Sequence, residues 1–124
     1  MLENKVKICK ALSDEIRLRI LNLLMHQECC VCEVTQALRI SQTRASRNLS
    51  QLHNAGLLLL RREGLWSLYS IDENKVDPFA ASILGIMRQH LINNPILIND
   101  IENLKKATRE RDYPSERQPS SGKS

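Results

Sequence analysis

Apolar residues recur every three or four positions in the first part of the chain, which is the spacing of amphipathic helices. This spacing predicts a first helix over residues 2–12 and a second that follows a cap at Ser13 or Asp14 and ends near Gln27. A third, shorter helix is predicted over residues 31–38. The first third of the chain is therefore expected to be helical.

A fourth helix is predicted after a tight connection, with Ser41 as its cap and Gly56 at its end. Its apolar positions form one stripe, and its polar positions face the other way. The stripe consists of Ala45, Leu49 and Leu52, and the outward positions are Gln42, Thr43, Ser46, Arg47 and Ser50. A short helix, a tight connection and a polar-faced second helix are typical of a helix-turn-helix.

Two strand-like runs over residues 57–62 and 65–71 flank Glu63 and Gly64, a two-residue hairpin signal. A basic hairpin directly after a helix-turn-helix is typical of a wing. Helices starting at Pro78 and Pro95 are predicted to follow.

The predicted fold class is mainly α with a β-hairpin wing, a winged helix-turn-helix. Residues 1–107 are expected to form one DNA-binding and dimerisation domain. Residues 108–124 contain no aliphatic side chain and are expected to be a disordered tail.

Basic residues are concentrated in the middle of the chain. The formal net charge is +4, and the segment from Arg39 to Arg62 holds five arginines and no acidic residue. Such a stripe is expected on a surface that faces a polyanion, although a merely solvated basic face is the alternative. The five are Arg39, Arg44, Arg47, Arg61 and Arg62.

Composition excludes several other classes of protein. Only four glycines occur and they are not clustered, which argues against a glycine-rich nucleotide-binding turn. An aromatic content of 3% argues against binding of single strands by stacking. No apolar run approaches the roughly 20 residues that span a bilayer, and the N-terminus has no signal-peptide core. We expect a cytoplasmic protein with no membrane partner.

The fourth helix and the hairpin supply the side chains expected to contact double-stranded DNA. Gln42 suits adenine, and Arg44 or Arg47 suits guanine or phosphate. The short polar side chains near the same helix start suit bases or phosphates, and the wing arginines suit phosphates or the minor groove. The full set is Ser41, Gln42, Thr43, Arg44, Ser46, Arg47, Ser50, Arg61 and Arg62.

Three of the four cysteines, Cys29, Cys30 and Cys32, lie in the segment QECCVCEV, and the fourth is Cys9. In a cytoplasmic chain such a cluster indicates metal binding or redox chemistry more than structural disulfides. On a regular helix Cys30 and Cys32 point about 200° apart, whereas Cys29 and Cys32 share a face. An ion that binds both Cys30 and Cys32 is therefore expected to distort the helix start and so move the reading helix.

The segments KALSDEIRLRILNLL, ECCVCEV and SQTRASRNLSQLHNAGLLLLRREGLWSLYSI, between Lys10 and Ile71, together resemble the ArsR/SmtB family of metal-sensing winged-helix repressors. The cysteines at the start of the third helix resemble those of its arsenite-responsive subtype. This resemblance implies a repressor, not an enzyme, with no required cofactor. It also implies that As(III) or Sb(III), or a methylated arsenite, binds Cys30 and Cys32 and releases the protein from operator DNA.

The third thiolate ligand is left open by the sequence. Thr35 stands where the arsenite pattern has a third cysteine, so Cys29 and Cys9 are the candidates. Cys29 is slightly favoured because it adjoins the pair. Cys9 resembles the N-terminal cysteines of cadmium and lead sensors in the family, which gives a cadmium- or lead-responsive repressor as one alternative. A redox-sensing repressor whose cysteines form a disulfide is another.

A homodimer is expected, because one helix-turn-helix makes too few contacts for tight specific binding. Two apolar stripes exceed what one small domain covers internally. They are Leu2 and Val6 in the first helix, and Phe79, Ile83, Ile86 and Met87 in the helix that starts at Pro78.

Overall fold

The computed structural model describes residues 1–109 of the 124-residue chain. The elements run in the order α1 (Leu2–Leu12), α2 (Glu15–His26), β1 (Cys29–Cys30), α3 (Val31–Leu38), α4 (Gln42–Asn54), β2 (Leu59–Glu63), β3 (Trp66–Ser70), α5 (Pro78–Leu91) and α6 (Pro95–Lys106). The predicted fold class is confirmed. Of the predicted tail, Thr108 and Arg109 contact α3, and the remainder lies outside the described residues.

Side-chain caps fix where the helices begin. The Asp14 carboxylate accepts from the Arg17 backbone N–H at 3.1 Å, which decides between the two predicted caps of α2. The Ser41 hydroxyl accepts from the Arg44 N–H at 3.1 Å and starts α4 as predicted. Each cap satisfies a donor that the first helical turn leaves without an intrahelical partner.

The core lies between α2, α3, α4 and the small sheet. The apolar residues Ile16, Ile20, Leu23 and Leu24 of α2 are buried, and Ala45, Leu49 and Leu52 of α4 are fully buried. Burial of this α4 stripe turns the opposite, polar face of the helix toward solvent. The sequence prediction of which face of α4 is free is therefore confirmed.

The sheet has three antiparallel strands in the order β1–β3–β2, one more than the predicted hairpin. Cys30 is opposite Leu68, and Leu68 is opposite Arg61, so one row crosses the whole sheet. Glu63 pairs with Trp66, which makes the turn Gly64 and Leu65. The predicted turn was one residue too early, because the position that needs a positive φ, Gly64 at +61°, opens the turn rather than closing it.

Helix α6 packs against α2 and α3. Asp100 in its middle is fully buried and accepts two hydrogen bonds from the Arg19 guanidinium, at 2.8 and 2.9 Å. This carboxylate raises the pKa of Arg19. Asn103 donates to the carbonyl of Ala37 at 3.0 Å and ties the same helix to α3. None of the helices within residues 1–109 is long and apolar enough to cross a membrane.

Candidate DNA interface and thiolate site

The outward face of α4 is held in place by Arg17 of α2. Its guanidinium donates to Asn48 at 3.1 Å and to Gln51 at 2.6 Å, both on α4. It also donates to the carbonyls of Lys10 and Ala11 at the end of α1. The sequence gives no sign of this role, because the partners of Arg17 lie up to 34 residues away. Arg17 is therefore a positioning residue for α4.

The candidate DNA-contacting positions of α4 share this solvent-facing side. Among them only Ser46 is half-buried, and the others are exposed: Ser41, Gln42, Thr43, Arg44, Arg47 and Ser50. No structural feature of the free chain tests whether they contact DNA. Their roles stay predictions.

The connection from α3 to α4 is short and specific in its backbone conformation. Arg39 adopts the left-handed region at φ 58°, ψ 49°, and its N–H donates to the Thr35 carbonyl at 2.8 Å. The N–H of Ile40 donates to the same carbonyl at 3.3 Å. Two hydrogen bonds to one carbonyl close the end of α3 and fix the direction in which α4 leaves. The position of α4 relative to α3 is thus set by this connection.

The arginines of the basic stripe fall into two groups. Arg61 donates to both carboxylate oxygens of Glu28 at 2.9 Å and contacts Glu63 at 3.2 Å. This pairing lowers the pKa of Glu28. Arg61 and Arg62 both lie within β2, before the wing turn, and Arg61 would have to leave its carboxylates to contact a phosphate. Within residues 1–109 the exposed arginines without a carboxylate partner are Arg39, Arg44, Arg47 and Arg62.

Cys30 and Cys32 converge at the N-terminus of α3. The structure joins their Sγ atoms as a disulfide, with the Cα atoms 5.4 Å apart. The expectation that the two side chains point apart on a regular helix was wrong. Cys30 is the N-cap, with extended backbone at φ −86° and ψ 170°, so it lies outside the helical repeat that the expectation assumed. The two sulfurs therefore meet while α3 stays regular.

Glu33 lies next to this cysteine pair and is 6% exposed. Its Oε1 atom accepts from the Cys30 backbone N–H at 2.9 Å and from Nε of Arg109 at 3.1 Å. Thr35, at the position of the missing third cysteine, donates its hydroxyl to the Cys32 carbonyl at 2.7 Å. The polar groups around the cysteine pair thus bond mainly to the backbone that carries it.

Comparison with known proteins bears on both parts of the site. Residues 14–58 match the family model described as bacterial regulatory protein, arsR family. The arsenic resistance transcriptional regulator ArsR1 of Pseudomonas putida is 45% identical over 81 residues, which cover 64% of this chain and 63% of that protein. The arsenical resistance operon repressor of Escherichia coli is 40% identical over 80 residues, covering 64% of this chain and 68% of that protein. The chain belongs to the ArsR family.

Solved structures agree with membership of the ArsR family. HlyU from Vibrio cholerae superposes with a TM-score of 0.62 at 26% identity, covering 70% of this chain and 90% of that one. The homodimeric winged helix-turn-helix DNA-binding domain of Mb0332 from Mycobacterium bovis gives 0.62 at 30% identity, covering 76% and 83%. The matched family and the relatives named above are regulators of transcription. The matches span about three-fifths of the length of the first curated relatives.

The position of Cys29 weighs against its role as third ligand in this ArsR-family chain. Its side chain is fully buried in the core, and its Sγ atom lies 3.5 Å from the Gln27 carbonyl. Burial, together with the negative charge of Glu33, raises the pKa of the Cys29 thiol to about 12. Only a thiolate is a good metal ligand. Cys29 as it stands is a protonated core thiol at neutral pH.

Cys9, the other candidate, is exposed on α1. In the part of the chain that the structure describes, no three His, Cys, Asp or Glu side chains are grouped as a metal site. The third ligand therefore stays a prediction. Of the two cysteines, Cys9 is the one open to a ligand or a second subunit.

The two free cysteines should differ sharply in reactivity. In the reduced, folded protein at about pH 8, we expect iodoacetamide to alkylate Cys9 readily and to leave Cys29 unmodified. With a pKa of about 12, only about one Cys29 thiol in ten thousand is ionised there. Mass spectrometry of proteolytic peptides measures both sites, and urea-unfolded protein is the control. Equal alkylation rates in the folded protein would show that Cys29 is accessible.

Proposed function

We propose that this chain is a transcriptional repressor that binds operator DNA as a homodimer and leaves it when Cys30 and Cys32 bind As(III) or Sb(III). The observation that carries the proposal is that the two sulfurs converge at the start of α3. A short connection joins α3 to α4, whose outward face is the candidate DNA interface. Thiolates are the ligands that soft, thiophilic ions prefer. The names of the curated relatives, which refer to arsenic resistance, support this choice of inducer.

Ion binding at the pair would change the local geometry in a defined direction. Two directly bonded sulfurs are about 2.05 Å apart. Two thiolates that share an ion with bonds of about 2.3 Å, as for zinc, lie about 3.3–3.8 Å apart. The ion therefore holds the sulfurs at a separation that only the reduced pair can reach, and it fixes the backbone of Cys30, Val31 and Cys32. If this conformation binds DNA less well, the ion releases the repressor.

Removal of either ligand should separate sensing from DNA binding. We expect Cys30→Ser or Cys32→Ser to leave operator affinity nearly unchanged and to abolish release by arsenite, because both cysteines lie outside α4, in β1 and α3. Fluorescence anisotropy of a labelled operator, selected by the protein from random DNA, measures both properties. Cys29→Ser tests whether the buried thiol is the third ligand, and Cys9→Ser tests the same for the exposed thiol. Release by arsenite that survives the double replacement of Cys30 and Cys32 would contradict the mechanism.

The disulfide itself supports a second candidate, a repressor that senses oxidants. Two thiols and one hydrogen peroxide molecule give a disulfide and two waters, so peroxide is a sufficient oxidant. Release by peroxide in metal-free buffer, without release by arsenite under reducing conditions, would favour this candidate. The same assay with Cd(II) and Pb(II) tests the remaining alternative within the family.

The proposed dimer interface joins the outer faces of α1 and α5. Lys5 and Asn4 of α1 bond to the Asp77 carboxylate at the start of α5, at 3.0 and 2.8 Å, so the first turn of α1 is in contact with the start of α5. Next to this contact Leu2 is 75% exposed, and farther along α5 Ile86 is 57% exposed. Phe79 and Ile83 are only half-buried on the same face. Met87, predicted to join this stripe, is buried in the core instead.

Sedimentation velocity at micromolar concentration tests the dimer. We expect the wild-type chain to sediment as a dimer and Ile86→Glu to sediment as a monomer, since a charge in an apolar interface is costly. Leu65→Glu, at the more exposed wing turn, is the control and should remain dimeric. A wild-type monomer would refute this part of the proposal.

Reading and anchoring residues should respond differently to mutation. Gln42→Ala or Arg47→Ala is expected to cost roughly 1–3 kcal/mol of operator binding and to relax base preference. Arg62→Ala should weaken binding to all sequences alike and reduce the slope of affinity against salt by about one unit. Binding titrations at several salt concentrations, on selected and scrambled DNA, measure both effects. A change of specificity in Arg62→Ala alone would reverse the two roles.

A further inference from the structure

Arg109, just beyond α6, contacts three parts of the molecule that surround the cysteine pair. Its Nε atom donates to Glu33 on α3 at 3.1 Å, and its Nη2 atom lies 3.4 Å from the Glu28 carbonyl before β1. Its guanidinium carbon is 5.8 Å from the centroid of the Trp66 ring on β3. At this distance a guanidinium and an aromatic ring attract each other. One side chain thus connects both flanks of the cysteine pair to the wing.

Hydrogen bonds of the neighbouring Thr108 backbone fix the position from which the Arg109 side chain extends. The Thr108 N–H donates to the Gln36 side-chain oxygen at 3.1 Å, and the Gln36 amide donates to the Thr108 carbonyl at 2.7 Å. The same Gln36 amide group donates to the Cys32 carbonyl at 3.0 Å. The residues after α6 are therefore attached to the helical turn that carries Cys32. The backbone just before Arg109 is thus held against α3.

We propose that Arg109 is a positioning residue that couples the state of the Cys30–Cys32 pair to Trp66 in the wing. The path is short, because the Glu33 oxygen that binds Arg109 also accepts the Cys30 backbone N–H. A change in the Cys30 backbone moves that oxygen or releases it. Arg109 then shifts over the Trp66 ring. The consequence for DNA binding rests on the proposed function.

A second arginine strengthens the same connection. Glu28, whose carbonyl faces Arg109, holds Arg61 of β2 through its carboxylate. Cys30 is itself paired with β3 at Leu68. The segment before α3 is thus attached to the wing by a strand pairing and by two arginines. The link through Arg109 differs from the strand pairing because it runs through the Glu33 oxygen that accepts the Cys30 N–H and through a side chain that can be replaced without changing the sheet.

The experiment uses Trp66, the single tryptophan of the chain, as its probe. Arsenite is titrated into the reduced full-length protein without DNA, and the emission of Trp66 is recorded. Binding is followed independently by the near-ultraviolet absorption of the arsenic–thiolate bonds. We expect wild-type emission to change in step with binding. In Arg109→Gln we expect the affinity for arsenite to stay within about twofold of the wild-type value. We expect the emission change on binding to be less than half that of the wild type. Half-release of the operator should need about fivefold more arsenite than in the wild type.

Three matched variants separate coupling from a general loss of structure. Arg109→Lys keeps a cation near Glu33 and Trp66 and should restore most of the emission change. Glu33→Gln keeps an oxygen for the Cys30 N–H but loses the charge that holds Arg109, so it should behave as Arg109→Gln does. Lys106→Gln removes an exposed charge at the end of α6 and should match the wild type. Thermal unfolding by circular dichroism confirms that each variant is folded.

The outcomes separate this inference from the proposed function. Arsenite binding with no emission change in the wild type, or with equal changes in wild type and Arg109→Gln, overturns the coupling alone. Absence of arsenite binding by the wild type overturns the proposed function, and the coupling is then tested by dithiothreitol. This reagent passes two electrons and two protons to the disulfide and closes into its own cyclic disulfide. An emission change that wild type shows and Arg109→Gln lacks supports the coupling, and equal behaviour overturns it.

Discussion

The extended backbone of Cys30 is the constraint on which the rest of the site depends. The residue ends a two-residue strand, caps α3 and carries one of the two converging sulfurs. Because the strand pairs with β3, the Cys30 backbone is connected to the wing through the sheet. Because the cap starts α3, the same backbone is connected to α4 through the turn at Arg39. The cysteine pair is therefore connected to the wing and to α4 by two separate routes.

The sequence predicted those features that depend on local chemistry. Helix bounds followed from caps such as Asp14 and Ser41, whose side chains bond within three residues. The buried side of α4 followed from its apolar spacing. Strand β1 was missed because two residues carry no periodicity of their own and become a strand only by pairing with β3. The same omission led to the wrong direction for the Cys30 side chain.

The distribution of charged residues along the sequence likewise does not show which arginines are paired in the fold. The five arginines from Arg39 to Arg62 form one acid-free stripe in sequence. In the fold, Glu28 lies beside Arg61 although the two are 33 residues apart, and this removes one cation from the free set. Arg17, which the charge stripe did not include, sets the position of α4 through hydrogen bonds. Long-range pairing, not local composition, decides which arginine is free to contact a phosphate.

Two ion pairs hold α6 and the residues just beyond it, and they differ in how far solvent reaches them. Asp100 is fully buried and holds Arg19 with two hydrogen bonds in the middle of the helix, so its separation would leave a charge uncompensated inside the protein. Glu33 meets Arg109 just beyond the end of α6. The Glu33 side chain is also largely buried, but the Arg109 side chain is 30% exposed, so water reaches this contact from one side. The cost of breaking an ion pair falls as solvent reaches it. The ion pair in the middle of α6 is consequently the costlier of the two to break, and the pair just beyond the helix end, next to the cysteines, is the less costly.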